Sequence, residues 1–489
     1  MSTTTPHSPD DVVVVAAART PQGRLKGSLA ALTAVELGAV AARAAIERSG
    51  LGADAVDAVV LGQVLQAGAG QNPARQTAAA AGVGWDVPAV TVNKVCLSGL
   101  TAVIDGTRMI RSGEAEVVLV GGQESMTNAP HLLPGSRAGF AFGDATLVDA
   151  VARDGLTDAF DHTSMGVSTE RTNKGDVFVS REEQDAVAAA SHQRAAAAAK
   201  DGLFDAELAP VSVPQRRGEP VEVRDDEGVR PDTTVEGLAR LRPAFDPEGT
   251  ITAGNASQIS DGAAALVLTT RARAESAGAP VLATVRTWGQ VAGPDTSLHS
   301  QPARAIRQAL DRAGWTVDDL DLVEINEAFA TVVAVSTRVL GVSPDVVNVH
   351  GGGISLGHPI GASGARLAVH AAHELARRGG GRVAVGLCGG GGQGEALLLE
   401  ASGSPGSGGP TAPRPFEGTA RGAAPTIAGC SPPRRRPAPP SPSTRSAPGT
   451  ARGGGGSGGS PRPGSWLRSP GSACRSRRRS SRAPGTTRP

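Results

Sequence analysis

The chain has 489 residues and a formal net charge of +1, too long for one compact unit, so two or three domains are expected. The near-zero total hides a split: residues 401–489 hold fifteen Arg and one Glu, with no Lys or Asp, a charge of +14 that leaves −13 on residues 1–400. Four cysteines (Cys96, Cys388, Cys430 and Cys474) resemble no disulfide framework and show no metal-ligand spacing, which points to a reducing, cytoplasmic setting.

The start, MSTTTPHSPDD, lacks a charged region followed by an apolar stretch, so no signal peptide is expected. No apolar run approaches the ~20 residues of a membrane span. Residues 12–18, VVVVAAA, read as a buried strand. Residues 32–50 read as an amphipathic helix closed by Gly50, and 56–64 as a second buried strand. Strands alternating with helices imply an α/β fold with mostly parallel sheets. A weak internal repeat follows. AVTVNKVCLSGLTAVIDGTRMIRSGEAEVVLVGGQES runs strand, special loop, helix, strand, Gly pair. VVNVHGGGISLGHPIGASGARLAVHAAHELARRGGGRVAVGLCGGGGQG has the same order. Two related halves are expected, 1–121 (completed by about 252–280) and 281–400, with their special loops meeting between them.

Residues 122–251 differ. They are loop-rich and hold one clear helix, with a Ser180/Glu183 capping box at its start and Gly202 at its stop. A long excursion from a rigid scaffold builds a lid or binding surface. Residues 401–489 are Gly, Pro, Ser, Ala and Arg without periodicity and are expected to be disordered. Three readings fit them: an Arg-rich nucleic-acid tail, with only Phe416 and Trp466 for base stacking; an interaction linker; or a non-functional extension from a shifted reading frame, which the composition fits best.

Four stretches set one reactive or polar side chain among small residues: NKVCLSGL, EINEAFA, GGGISLGHPIGASGAR and CGGGGQGEA. Gly lets backbone and substrate approach closely and leaves N–H groups free to donate. Cys96, at a strand-to-helix junction, is placed for a pKa lowered by the helix dipole. His358 stands in a Gly-rich turn before a helix start, and Cys388 directly after a buried strand. Each has an ordinary structural explanation alone: a packed cysteine, a loop histidine, or for Asn326 and Glu327 a helix cap. Their joint placement at corresponding strand ends argues for a site.

Those motifs, with GGQESMTNAP, SMGVSTE, LRPAFDPEGTITAGNASQISDGAAA and NEAFA, resemble the thiolase family, closest to its bacterial acetyl-CoA acetyltransferase type, over about residues 11–400. The resemblance implies two duplicated α/β halves in α-β-α-β-α layers with an inserted loop domain at 122–251. It implies Cys96 as acyl-accepting nucleophile, His358 as its base and Cys388 as the second acid/base. Asn326 would hold a water that forms one oxyanion site with His358, and the N–H groups of Cys96 and Gly390 would form another. Coenzyme A contacts are implied for Leu156, Met165, Arg230, Phe245, Ala253, Ser257 and Phe329. The chemistry suits this set, because condensing two thioesters needs a covalent acyl carrier, a base for a weak C–H acid and a stabilised enolate. Coenzyme A thioesters would be substrates, with no cofactor, metal, membrane or specific nucleic acid, in lipid metabolism. Residues His131–Asp144 resemble the family's oligomerisation loop, implying a homotetramer or homodimer.

The implied reaction joins two acetyl-CoA to give acetoacetyl-CoA and CoA, or runs in reverse; the alternative is a broad-range 3-ketoacyl-CoA thiolase. Ser164, Gly237, Leu298-His299 and the NVHGGGIS run depart from the family pattern and bear on chain length and pantetheine contacts. A ketoacyl synthase would close its site with His-His or His-Asn rather than Cys388. A silent lipid- or nucleic-acid-binding protein would not need Cys96 and His358. Deleting residues 402–489 is expected to leave activity and melting temperature unchanged, since that composition contributes little packing. Unfolding or inactivation on truncation would overturn the extension reading.

Overall fold

The computed structural model describes residues 7–402, so the expectation for the rest of the Arg-rich segment lies outside the described residues. Strands form where β-branched and small apolar residues run on without polar breaks. β1 (Val12–Arg19) is buried at every position and leads through β2 (Gly23–Arg24) to α1 (Ala34–Ser49). That helix begins on a Thr33/Glu36 capping box and ends at Gly50 with φ 69°. β3 (Ala58–Gly62), α2 (Pro73–Ala80), β4 (Ala89–Val92), α3 (Ser98–Arg111) and β5 (Val117–Ser125) complete the first stretch.

An excursion then holds β6 (His131–Leu132), β7 (Val148–Asp149), α4 (Met165–Thr172) and α5 (Arg181–Lys200). The Ser180/Glu183 capping box starts α5 as the sequence predicts. β8 (Val211–Val213), β9 (Val221–Val223) and α6 (Val235–Leu238) follow. The chain re-enters the scaffold as β10 (Ser260–Thr270), α7 (Arg271–Ala277), β11 (Ala283–Ala292), α8 (Gln301–Ala313) and β12 (Leu322–Ile325). It finishes with α9 (Ala330–Leu340), α10 (Ser363–Arg378), β13 (Gly381–Gly389) and β14 (Gln393–Ala401).

The two halves repeat one pairing pattern. β3 lies parallel to β5, which is antiparallel to β10, itself antiparallel to β1. β12 lies parallel to β13, which is antiparallel to β14, itself antiparallel to β11. The half-sheets join through two residue pairs, Val13–Thr284 and Val14–Ala283. α3 and α10 pack on each other and on strands of both halves, forming a middle layer. α1 and α2 cover one outer face and α8, with α9 beside it, the other. This is the α-β-α-β-α layering expected from the sequence, but the strand pairs are mostly antiparallel rather than mostly parallel as expected, because β10 and β14 run against their neighbours.

One expected strand is missing. VVNV contributes only the Val323–Val347 bridge, because Asn348 turns the chain at φ 47°. Its side-chain amide instead pairs with Ile325, accepting from the N–H at 2.7 Å and donating to the C=O at 2.8 Å. The excursion between β5 and β10 has as its counterpart only the turn Gly390–Gly392 between β13 and β14. It is fastened to β1 by Arg19, fully buried, which donates to Glu207 at 2.6 Å and Asp226 at 2.8 Å. Although burial pushes Glu207 up, the charges of Arg19 and His370 hold its carboxyl well below the usual range. Among the described residues, no helix is long and apolar enough to cross a membrane and no group of three or more His, Cys, Asp or Glu is arranged to hold a metal.

The first turns of α3 and α10 cross backbone to backbone. A Cβ on Gly99 would lie 2.7 Å from the Ala365 nitrogen, and one on Gly364 would lie 2.4 Å from the Leu100 nitrogen. Neither neighbour is a side chain that can swing aside. Gly364→Ala is therefore expected to destabilise the fold by about 1–3 kcal/mol or more, read as a lowered melting temperature. Gly237→Ala, where the nearest atom to the new methyl is Thr234 Oγ1 at 3.4 Å, is expected to leave the melting temperature in place. Equal melting temperatures for the two variants would refute the account.

Candidate active site

Cys96 stands in the turn from β4 to α3. Val95 before it has φ 52°, a region that costs a β-branched residue of order 1–3 kcal/mol. The surrounding hydrogen bonds hold it there. Asn93 Oδ1 accepts from the Val95 N–H at 3.0 Å, while Ser98 Oγ accepts from the Lys94 N–H at 2.8 Å and donates to the Val95 carbonyl at 2.6 Å. Lys94 Nζ reaches Glu395 of β14 at 2.5 Å, tying the turn to the other half. Cys96 is half-buried and packs in one cluster with Val64, Leu65, Met126, Leu156 and Ile360.

The expected lowering of its pKa is not what results. Burial pushes the Cys96 thiol up to about 11, with the Glu124 carboxylate adding to that, while hydrogen bonds from the backbone N–H groups of Gly390 and Cys96 work against it. The helix begins two residues later, at Ser98, and the cost of removing charge from water outweighs its dipole. Cys388, the penultimate residue of β13, is buried, and burial together with the Cys96 charge raises its thiol well above the ordinary range.

His358 precedes α10 by five residues rather than opening it. It is buried, and burial first, then the charge of Arg366, push the imidazole down to about 3. Its Nε2 faces Asn326 Nδ2 at 3.3 Å, and its Nδ1 faces Ser363 Oγ at 2.5 Å. Asn326 follows β12, donates its backbone N–H to the Gly386 carbonyl at 3.0 Å and is fully buried. It caps no helix, since α9 starts at Ala330. Glu327 also does not cap; it accepts from Ser191 Oγ, Asn348 Nδ2 and the Ile354 N–H.

The loops are drawn together by Glu124 at the end of β5. This buried carboxylate accepts the N–H groups of Val64 at 3.0 Å, Leu65 at 3.1 Å and Gly361 at 2.9 Å, spanning both halves. Burial raises it to about 7. Nothing in the motif reading marked Glu124, because a Glu in GGQES looks like any polar residue closing a strand.

A cavity of about 510 Å³ ends at His358 and is lined by Leu156, Met165, Phe245, Ala253, Ser257 and Phe329, six of the seven residues expected to contact coenzyme A. Phe245 lies edge-on to Phe329, centroids 6.2 Å apart. Arg230 does not line this cavity. It is exposed, and its N–H donates to His192 Nδ1 at 3.1 Å. Met126, Val151, Ile259 and Ile360 also line it; three of them stand in the quoted motifs, where an apolar side chain reads as packing. Met165 and Gly390 also border a second cavity of about 840 Å³, with Val95, Phe160 and Gly391 in its wall. Ser164 caps α4 through the Val167 N–H. Leu298 packs in the cluster that holds Cys388, with Met165 against it. His299 beside it is buried, which lowers it to about 4.

A neutral thiol, a neutral imidazole, a second thiol and convergent N–H groups, opening on an apolar cavity, can support acyl transfer without a metal. The family model for the thiolase N-terminal domain matches residues 12–272, and that for the thiolase C-terminal domain matches 279–401. A probable acetyl-CoA acetyltransferase of Mycolicibacterium smegmatis is 58% identical over 387 residues, covering 79% of this chain and 100% of that protein. One of Mycobacterium tuberculosis is 56% identical, over 80% of this chain and 99% of its own. An acetyl-CoA acetyltransferase of Pseudomonas aeruginosa is 51% identical with the same coverage. By its motifs, its duplicated fold and these matches, the chain belongs to the thiolase family.

Proposed function

We propose that the protein is an acetyl-CoA C-acetyltransferase that joins two acetyl-CoA into acetoacetyl-CoA and CoA, and runs the reverse thiolysis. The observation that carries this reading is a cavity lined by Met165 and His358, with Cys96 packed among its wall residues Met126, Leu156 and Ile360 and next to the Gly390 N–H and Cys388. In the first half-reaction His358 Nε2 takes the Cys96 proton as Sγ attacks the acetyl carbonyl. The Sγ–C bond forms, the C–S bond to CoA breaks, and the imidazolium returns its proton to the leaving thiolate. In the second, His358 takes the Cys388 proton and the Cys388 thiolate removes a Cα proton from a second acetyl-CoA. The carbanion attacks the acetyl-Cys96 carbon, a C–C bond forms, Cys96 leaves as thiolate, and the imidazolium returns its proton to it. The N–H groups of Gly390 and Cys96 stabilise the tetrahedral oxyanion, and the imidazolium Nε2–H of His358 with a water on Asn326 stabilises the enolate.

The second cavity behind Met165 favours a second reading, a broad-range 3-ketoacyl-CoA thiolase whose acyl chain passes that side chain. The loop around His131–Asp144 leaves Leu133, Phe140, Phe142 and Leu147 exposed. This supports assembly as a homodimer or homotetramer, since apolar side chains so placed are covered in stable oligomers. The thiols of Cys96 and Cys388 are free, and chemistry that needs them reduced supports a cytoplasmic location.

Two substitutions separate the half-reactions. Cys96→Ala is expected to abolish acylation and turnover, with mass spectrometry of wild-type enzyme and acetoacetyl-CoA finding one acetyl group on Cys96. Cys388→Ala is expected to retain part of the acylation and to lose ~10²–10⁴ in condensation, the effect of a missing general base. Label on Cys388 alone, or equal loss in both halves, would reverse the assignment.

Chain length tests the acetyl reading. A pocket closed by Met165 admits two carbons and collides with six. Each misplaced methylene costs ~1–3 kcal/mol, so acetoacetyl-CoA should be cleaved at least tens-fold better in kcat/KM than 3-ketohexanoyl-CoA. Met165→Ala should narrow that gap. Preference for 3-ketooctanoyl-CoA by the wild-type enzyme would select the broad-range reading.

A further inference from the structure

We infer that Ser363 is a positioning residue that holds His358 in the tautomer protonated at Nδ1, leaving the Nε2 lone pair as the working base. The inference rests on the role of His358 proposed above and concerns what gives that ring its orientation. Ser363 is the first residue of α10, five places after His358, and is 1% exposed. Its Oγ lies 2.5 Å from His358 Nδ1 and 2.9 Å from the carbonyl of Pro359. A serine hydroxyl carries one proton. A carbonyl can only accept, so the hydroxyl gives its proton to Pro359 and keeps its lone pairs for Nδ1–H. That carbonyl also accepts the N–H groups of Ala362 at 2.9 Å and Ser363 at 3.0 Å, so its position is set by the turn that opens the helix.

The opposite edge of the ring is consistent with the same assignment. Asn326 presents its Nδ2, a donor, to Nε2 at 3.3 Å, and a donor facing a ring nitrogen requires a lone pair there. Two contacts at opposite ends of one imidazole therefore agree on one tautomer. It is the form that can take a proton from a thiol at Nε2.

The chemistry of a hydroxyl at this place differs from that of a carboxylate. The charge that acts on the ring is that of Arg366 in α10, and the proposed reaction brings the thiols of Cys96 and Cys388 to it. Ser363 adds no charge of its own. It orients the ring without stabilising imidazolium, so the proton taken from Cys96 is released readily to the departing CoA thiolate. A carboxylate in its place would hold that proton.

The test compares full-length wild-type enzyme with Ser363→Ala, Ser363→Thr and His358→Ala. The rate of acetyl transfer from acetoacetyl-CoA to Cys96 is read by quenched mass spectrometry, together with melting temperature and histidine ¹⁵N spectra. His358→Ala serves as the reference for the base. If it acylates at the wild-type rate, the base assignment fails whatever Ser363 does.

With that assignment intact, Ser363→Ala is expected to slow acylation by about 10- to 100-fold, between the effect of one lost neutral hydrogen bond and the ~10⁴ of a wrong tautomer. Its melting temperature should stay close to wild type, and Ser363→Thr, which keeps the hydroxyl, should recover most of the rate. In wild type, the resonance pair that disappears in His358→Ala should show a protonated Nδ1 and an unprotonated Nε2; in Ser363→Ala it should shift toward a mixture. A wild-type pair protonated at Nε2 overturns the inference. So does a Ser363→Ala enzyme that acylates as wild type while His358→Ala does not. The spectra decide the matter even if the threonine variant packs poorly.

Discussion

The contact on which the site depends is the crossing of two helix starts with no side chain between them. Gly99 of α3 and Gly364 of α10 bring the two backbones within the reach of a single Cβ. Cys96 lies two residues before the first helix and His358 five before the second. The crossing therefore brings the two turns that carry them to one seam. A side chain at either glycine would hold the halves apart and separate the turns that carry Cys96 and His358. Glu124 works at the same seam, where three N–H groups from two loops converge on one carboxylate. Backbone groups at such a seam have no strand to pair with, and an acceptor supplied by a neighbouring strand end satisfies them.

Burial gives the site its electrical character. Both thiols are driven up and the imidazole down, largely by removal from water. At neutral pH the resting site thus carries no charge on its three reactive groups. Charge arises only as bonds form, and the N–H groups of Gly390 and Cys96 are already aimed at the sulfur when it does. A site of this kind gains most from donors fixed in advance, because no solvent shell has to reorganise. The strained Val95 is part of that arrangement, held at φ 52° by Asn93 and Ser98.

Much of this was legible in the sequence, for physical reasons. Reactive or polar side chains at strand ends or in glycine-rich turns stand out: Cys96 and Asn326 follow strands, Cys388 stands where a strand runs into glycines, and His358 lies in a glycine-rich turn. The capping boxes of α1 and α5 are local patterns and appear where local rules place them. What escaped was what only contact can create. Glu124 and Ser363 are ordinary polar residues until the loops meet. The direction of the Cys96 shift is a contest between helix dipole and burial, and burial has no local signature. VVNV looks like a strand because its valines are apolar; that Asn348 would take over the pairing with its own amide is a tertiary fact. Arg230 matched a family motif, yet its side chain lies away from the cavity that the other six matched residues share.

The asymmetry between the halves has a consequence for how the protein can change. Between β13 and β14 the chain turns in three glycines, while between β5 and β10 it makes an excursion of well over a hundred residues. Both ends of that excursion leave from strands already paired side by side along nine positions. Rebuilding it therefore need not disturb the ladder from which it departs. The excursion supplies Met165, Phe245 and Ser257 to the cavity, whereas Cys96, His358 and Cys388 belong to the scaffold. Selection can thus reshape what enters the cavity as an exchangeable cassette, while the reacting groups stay in the inherited frame.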